Sequence, residues 1–312
     1  MAELKLIASF ALGNLLGEAV VWHDASQSLW WTDIHGKALY QLSWPSQQVD
    51  KFELDERISC FAHLPENDSL AAEFPLLVAF ASGFALYNPQ TKQRCWLARP
   101  ELGLPGNRMN DGRVDRQGRF WAGTMVEQDQ GQRGSLYCLT QTGARAVLTD
   151  LAIPNALCWS PDSRVMYHGD SPTGTIRRYQ FDAASGAVTD GELFAQVPQG
   201  EPDGAVIDAE GNLWVALWGG GALAQYRSSG ELLALHPLPV SQPTCLAFGG
   251  PELDLLFVTS ATVGLSEAQR AAEPLAGALL VYQSQSQGVP EATLQSLHWQ
   301  KLMAQMEGTA NA

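Results

Sequence analysis

Short apolar segments alternate with polar turns along all 312 residues of the chain. The segments are rich in Val, Leu, Phe and Trp, and dipeptides that favour turns separate them, such as Asp-Gly, Gly-Asn, Ser-Gly and Asn-Pro. This pattern is typical of β-strands, and 29 Gly and 17 Pro residues would interrupt long helices repeatedly. We therefore predict an all-β fold.

The strands repeat as a unit that contains a polar turn, a strand with a large apolar residue and a further strand that ends in Tyr or a similar residue. Six large apolar residues mark the units: Trp30, Leu77, Trp121, Met166, Trp214 and Phe257. They are spaced by about 45 residues, the length of a propeller blade of four strands. The sequence therefore predicts a six-bladed β-propeller with four antiparallel strands in each blade. We interpret residues 1–312 as one domain and expect the small, polar tail at 302–312 to be frayed.

Four residues with side-chain oxygens occupy nearly the same position in their repeats, 11 or 12 residues before the apolar marker: Glu18, Asn110, Asn155 and Asp203. In radially arranged repeats, equal positions lie at equal radius and height, so we expect the four side chains to converge on the axis. A bland alternative exists, because Asn or Asp before a strand often forms a turn through its own side chain.

Glu18 resists this alternative, because it heads an otherwise apolar strand where a buried carboxylate without a partner is costly. A cation would supply that partner. Two carboxylates and two amides, with no Cys or His, form a hard ligand set that suits calcium, magnesium or manganese, and zinc also accepts carboxylate ligands. We expect one divalent cation at this site, with calcium as the first choice.

The composition argues against several partners and locations. The net charge is −14 and the isoelectric point is near 4.8, without a Lys or Arg cluster, so we expect no binding to nucleic acid or acidic membranes. We see no leader or membrane span. Five scattered cysteines without a Cys-x-x-Cys pair suit buried thiols in a reducing cytoplasm, where we expect the protein to reside.

Other catalytic or binding motifs receive little support. The chain has no Gly-x-Ser-x-Gly motif, and its six histidines show no His-x-x-x-His spacing. The segment 218–222 resembles part of a dinucleotide loop, but the strands on both sides favour a hairpin turn. Residues 208–212 resemble half of a calcium loop without the closing glutamate, so we interpret them as a turn between strands.

Four motifs around the polar residues are characteristic in their order along the chain: RMNDGRVD at 108–115, GRFWAGTM at 118–125, IPNALCWSPD at 153–162 and EPDGAVID at 201–208. This series resembles the family of senescence marker protein 30 (regucalcin), gluconolactonase and sugar lactonases, over nearly the whole chain. The resemblance implies a six-bladed propeller that hydrolyses aldonolactones with one divalent metal in its central channel.

The resemblance also implies roles for single residues. Glu18, Asn155 and Asp203 match the metal ligands of the family, Asn110 matches a residue beside the metal and the substrate, and Arg108 matches an arginine that contacts the substrate.

The chain departs from the family at three positions. Ala19 and Ala156 stand where many members have Gly, so the backbone beside two of the ligands is less permissive. Gln128 stands where animal members carry a glutamate in a lid over the site, so its contacts with substrate hydroxyl groups would differ from theirs.

These residues suggest a mechanism without a covalent intermediate. A divalent cation on the lactone carbonyl would stabilise the charge that forms when water attacks, and Asp203 would be the general base. Arg108, Asn110 and Gln128 would bind the sugar, a small-molecule partner, in a monomer or weak homo-oligomer. Two alternatives remain: a calcium-dependent hydrolase of phosphotriesters on the same fold, and a calcium-binding propeller without catalysis.

Overall fold

The computed structural model describes residues 4–127, 133–296 and 299–310 and contains six four-stranded antiparallel sheets. The first comprises β2 (Gly17–His23), β3 (Ser28–Asp33), β4 (Ala38–Ser43) and β5 (Gln48–Glu53). The second comprises β6 (Ile58–His63), β7 (Leu76–Phe80), β8 (Gly83–Tyr87) and β9 (Arg94–Ala98). The third comprises β10 (Asn107–Val114), β11 (Phe120–Val126), β12 (Gly134–Thr140) and β13 (Gly143–Leu151). The fourth comprises β14 (Pro154–Trp159), β15 (Val165–Asp170), β16 (Thr175–Asp182) and β17 (Ala187–Gln196). The fifth comprises β18 (Glu201–Ile207), β19 (Leu213–Trp218), β20 (Ala222–Tyr226) and β21 (Leu232–Pro237). The sixth comprises β22 (Pro243–Gly249), β23 (Leu255–Ser260), β24 (Leu279–Gln283) and β1 (Lys5–Phe10).

The six sheets are the blades of a ring. The first strand of each blade lies innermost and contacts the first strands of both neighbouring blades, in the order β2, β6, β10, β14, β18, β22 and back to β2. The predicted six-bladed β-propeller is confirmed. All six apolar markers lie in the second strand of their blade, so the repeat unit was assigned in the correct register.

Burial explains why the strands differ in composition. The inner strands β14, β18 and β22 are almost completely buried, because neighbouring blades cover both of their faces. The outer strands, such as β5 and β17, face solvent and alternate between polar and partly buried residues. The apolar pattern therefore weakens from the axis to the rim of each blade.

The repeated Asp before a Trp has a structural role in two blades. In the turn between β10 and β11, Asp115 accepts hydrogen bonds from the Trp121 Nε1–H group at 3.0 Å and from the backbone N–H of Arg119. Asp208 accepts the equivalent bond from Trp214 at 3.0 Å. Residues 208–212 therefore form a turn between strands, as the sequence predicted.

Two helices lie outside the blades. Helix α1 (Glu267–Ala272) connects β23 to β24 and begins with a capping box formed by Ser266 and Gln269. Helix α2 (Trp299–Ala310) occupies the tail, so the described part of the region at 302–312, where the sequence led us to expect frayed chain, has helical backbone. Trp299 and Leu302 are buried against the second blade, and this apolar contact holds the helix in place. No helix in the described ranges is both long and apolar enough to cross a membrane.

The ring is closed by pairing between the first and the last strand in the chain order. Strand β1 precedes the first blade in sequence but pairs with β24, where it forms the outermost strand of the sixth blade. The isolated bridge between Leu16 and Ala261 adds a further link between the first and last blades. The repeat pattern did not predict this exchange.

We expect deletion of residues 1–10 to lower the free energy of unfolding by on the order of 3 kcal/mol, because the backbone hydrogen bonds of β1 are lost. The unpaired edge of β24 should also promote self-association. Thermal unfolding and sedimentation would measure both effects, with Ser9→Ala as a control that keeps the strand. An unchanged midpoint would show that β1 does not hold the ring closed.

Candidate active site

The first strand of every blade contains a bulge near its beginning. In each of these strands, one extra residue interrupts the pairing with the second strand. The four residues that the sequence placed at equal positions, Glu18, Asn110, Asn155 and Asp203, lie at or directly beside these bulges. A bulge bends the strand and redirects a side chain, so the repeated irregularity turns the same position of each blade toward the axis.

Two of the bulges force alanine into an unusual backbone conformation. Ala19 follows Glu18 with φ of 52°, and Ala156 follows Asn155 with φ of 54°. Both values lie in the left-handed region, which glycine adopts without the steric penalty of a Cβ atom. The two alanines that stand where many family members have glycine therefore occupy positions where a Cβ atom costs stability.

The four residues are buried and form contacts in two pairs. Each is at most 9% exposed. The Asn110 Nδ2–H group donates to Asn155 Oδ1 at 3.2 Å, and the carboxyl groups of Glu18 and Asp203 lie close enough to share a hydrogen bond when one of them is protonated. Residues from four blades thus meet in two pairs near the axis.

A hydrogen-bond network extends the amide pair across three blades. Arg108 donates from NH1 to Asn110 Oδ1 at 2.8 Å. On the other side, Asn155 Nδ2 donates to Ser171 Oγ at 2.8 Å, and Ser171 Oγ donates to the carbonyl oxygen of Pro202 at 2.7 Å, one residue before Asp203. The network fixes the orientation of both amides, so their oxygens have defined positions.

The electrostatics of the carboxyl pair require a positive partner. Burial, followed by the charge of Asp111, raises the pKa of Glu18 to about 8. Burial and the neighbouring charge of Glu18 raise the pKa of Asp203 well above its usual range. Among the described residues, neither carboxyl group forms an ion pair with Lys or Arg. Either a proton shared by the two groups or a cation must therefore compensate their charge.

The donor set fits a hard cation. The carboxyl groups of Glu18 and Asp203 and the amide of Asn155 are all buried on inner strands, whereas no cluster of three or more His, Cys, Asp and Glu residues exists in the described part of the chain. A metal would therefore need the amide oxygens as well as the carboxylates, a combination suited to calcium or magnesium.

Sequence reasoning missed Asp111 as a part of this electrostatic system. It follows Asn110 directly, and its Oδ2 accepts a hydrogen bond from the backbone N–H of Leu157 at 3.1 Å. Burial raises the pKa of Asp111. The sequence signal that could have identified Asp111 is a carboxylate in a predicted inner strand, which is also what identified Glu18.

A cavity lies beside the candidate site, with Ala19 and Asp111 in its lining. It has a volume of about 670 Å³ and is lined by the ends of β2 and β6 and by residues 290–293. Arg113 also lines it, with Nη1 donating to the carbonyl oxygen of Ala205 at 2.9 Å and Nη2 lying 3.7 Å from Glu291. The cavity thus contains none of the predicted ligands.

An ion-pair cluster lies beside Arg108. Glu127 accepts two hydrogen bonds from Arg57, both at 2.8 Å, and a third from Arg108 Nε at 2.8 Å. Although burial opposes it, bonding to the two arginines holds the pKa of Glu127 at about 2. Sequence reasoning missed Arg57, since 70 residues separate it from Glu127 and no local pattern connects them. Gln128 lies outside the described residues.

The comparisons with known proteins agree with this architecture. The model of the family described as the SMP-30/Gluconolactonase/LRE-like region matches residues 16–262. The chain is 34% identical to a 6-deoxy-6-sulfogluconolactonase of Pseudomonas putida, over 85% of this chain and 89% of that protein. It is also 34% identical to an L-arabinolactonase of Azospirillum brasilense, over 89% of this chain and 92% of that protein.

A solved structure is similar over almost the whole chain. It is a regucalcin of Agrobacterium tumefaciens, described as a calcium-binding protein, with a TM-score of 0.87 and 30% identity over 95% of this chain and 100% of that one. This six-bladed propeller therefore belongs to the SMP-30/gluconolactonase family, as the motifs indicated.

We expect Ala19→Gly to be at least as stable as the wild type, because release of the left-handed strain offsets the extra chain entropy of glycine. Ala62→Gly is the matched control, since Ala62 is similarly buried at 5% but has an ordinary φ; it should lose about 1 kcal/mol. Chemical denaturation measures both. If both variants lost the same free energy of unfolding, the proposed strain at Ala19 would be contradicted.

The lowered pKa of Glu127 predicts a pH dependence of stability. Because its pKa falls from 4.5 to about 2, its contribution should be present above about pH 4.5 and disappear as the pH falls through 2. We expect Glu127→Gln to be less stable than the wild type by about 1 kcal/mol at pH 7, a small value because the carboxylate is partly exposed.

Denaturant titrations from pH 7 to pH 2 would test this, and the two proteins should converge at the acidic end. Glu192→Gln serves as a control that removes a carboxylate from the more exposed pair with Arg178. A difference between wild type and Glu127→Gln that persists at pH 2 would refute the assignment to ionised Glu127.

Proposed function

We propose that this protein is a sugar lactonase that uses one divalent cation. As a member of its family, with close relatives named lactonases, it is a hydrolase of the ester bond of lactones. The observation that carries the metal dependence is the buried contact of Glu18 with Asp203, which lacks a basic partner among the described residues.

Glu18, Asn155 and Asp203 would hold the cation, and Asn110 would lie beside it. Calcium is our first choice because all donors are oxygens, and the similar regucalcin is described as calcium-binding; zinc, manganese and magnesium are the alternatives. When bound, such a cation stabilises negative charge on a lactone carbonyl oxygen.

Asp203 is the proposed general base. Burial raises its pKa, and a cation held by Asp203 and Glu18 would favour the ionised form, in which Asp203 would accept a proton from the attacking water. The water oxygen forms the new bond to the carbonyl carbon, the bond from that carbon to the ring oxygen breaks, and the ring oxygen takes up a proton. Glu18 has no proton-transfer role and holds the cation.

Arg108 and Asn110 would position the sugar. Their mutual hydrogen bond at 2.8 Å and the bond from Arg108 to Glu127 keep the guanidinium group in one orientation, which reduces the entropy lost when the substrate binds. Gln128 remains our candidate for a further contact with sugar hydroxyl groups.

We also propose a cellular compartment and a set of partners for the protein. Cys60, Cys138, Cys158 and Cys245 are buried thiols, which supports a reducing cytoplasm. We propose a monomer or weak homo-oligomer that acts on small molecules and binds neither nucleic acid nor membranes.

The roles of Asp203 and Glu18 can be separated. Both Asp203→Ala and Glu18→Ala should weaken metal binding measured by titration calorimetry. At saturating metal, Asp203→Ala should remain about 100-fold or more below the wild type in kcat because the base is missing, whereas Glu18→Ala should recover in part. Glu210→Ala, an exposed change in a turn of the same blade, is the control.

A panel of aldonolactones and phosphotriesters, each assayed with several metals, tests the function itself. Acid release from lactones alone supports the lactonase. Turnover of phosphotriesters alone would favour the related hydrolase, and tight metal binding without turnover would favour a binding propeller. Full recovery of Asp203→Ala at high metal concentration would remove Asp203 as the base.

A further inference from the structure

A side pocket with an unusual number of arginines adjoins the candidate active site. It lies between the second and third blades and has a volume of about 310 Å³. Arg57, Arg99 and Arg108 all line it, and Arg108 also bonds to Asn110 in the site. One arginine is therefore shared by the pocket and the site.

The acidic groups at the pocket do not neutralise all three arginines. Glu127 is bonded to Arg57 and Arg108 and contributes one negative charge. Of the described residues that line the pocket, Glu101 is the only carboxylate, and its oxygens accept hydrogen bonds from neutral groups. The donors to Glu101 are Thr124 Oγ1, Tyr137 OH and Asn107 Nδ2, at 2.8, 2.9 and 2.9 Å. Among the described residues, three positive charges therefore face two negative ones, in a chain whose net charge is −14.

Arg99 carries the excess charge. Among the described residues, its side chain makes one hydrogen bond, a long one from Nε to the carbonyl oxygen of Ser82 at 3.5 Å, and no ion pair with a carboxylate. The guanidinium group stacks over Trp96, 4.7 Å from the ring centre. Stacking fixes the plane of the group and leaves its edge available for hydrogen bonds.

We propose that this pocket binds an anionic substituent of the substrate: a phosphate, sulfonate or carboxylate group at the end of the sugar opposite to the lactone carbonyl. The inference rests on the proposed lactonase activity. Guanidinium groups match the geometry of such oxyanions, and two or more of them select an anion over a hydroxyl group.

The dimensions of the site allow this. Residues 107–109 of β10 line the pocket and precede Asn110, so at about 3.3 Å per residue the pocket begins within about 10 Å of Asn110, which we propose as a substrate contact. Arg108 spans the two regions, because its side chain contacts Asn110 and also lines the pocket. A six-carbon lactone can therefore reach both.

The test compares lactones of the same ring that differ in the terminal group: glucono-1,5-lactone with its 6-phosphate and its 6-deoxy-6-sulfonate, and, for the carboxylate, glucono-1,4-lactone with glucaro-1,4-lactone. We expect kcat/KM to be at least tenfold higher for one or more of the anionic lactones than for the neutral one. The preferred lactone identifies the group. The ratio of anionic to neutral kcat/KM should fall at least tenfold in Arg99→Gln.

Arg94→Gln is the matched control, because Arg94 stacks on the same Trp96 ring but pairs with Glu56 and does not line the pocket. It should keep the wild-type ratio. If neutral lactones are hydrolysed and Arg99→Gln leaves the ratio unchanged, the pocket is not an anion subsite although the protein is a lactonase.

If no lactone is hydrolysed, calorimetric titration with gluconate and 6-phosphogluconate can still test the anion pocket separately from the lactonase activity. Tenfold tighter binding of the phosphate, lost in Arg99→Gln and kept in Arg94→Gln, would support the pocket while the lactonase proposal fails. Equal binding of both acids, together with equal turnover of neutral and anionic lactones, would overturn the pocket.

Discussion

Closure of the ring by β1 and β24 is the interaction on which the rest of the structure depends. Six blades place residues at a common axis only when the circumference of the ring is fixed, and an open ring would leave the first and sixth blades free to separate. Glu18 belongs to the first blade and Asp203 to the fifth, with the sixth blade between them. Their contact therefore depends on a closed ring.

The closed ring brings like charges together, and this cost defines the candidate site. Glu18 and Asp203 are buried beside each other, with Asp111 close enough to raise the pKa of Glu18. Such an arrangement destabilises a fold unless a proton or a cation compensates it. A structural role alone would be met better by apolar residues, so the charge accumulation points to binding. The strained residues Ala19 and Ala156, directly after Glu18 and Asn155, add to the same local cost.

Charged residues gather in two neighbouring regions, one acidic and one basic. The carboxyl groups lie at the inner bulges, while Arg57, Arg99 and Arg108 gather around the adjoining pocket. The whole chain has a net charge of −14, so these three arginines form a local positive region in an otherwise acidic protein. A cation bound at the axis and an anion bound in the pocket would each meet groups of opposite charge, which suits an oriented, charged sugar derivative.

The sequence by itself determined the blade number, the strand register and the position of Glu18, Asn110, Asn155 and Asp203 in their repeats, because local periodicity and turn chemistry recur in every blade. It also carried the family motifs. Only the tertiary structure decided the exchange of β1 into the last blade, the helix that begins at Trp299, and the ion-pair cluster of Arg57 with Glu127. These depend on contacts between segments far apart in the chain, and no local pattern encodes a contact of that kind.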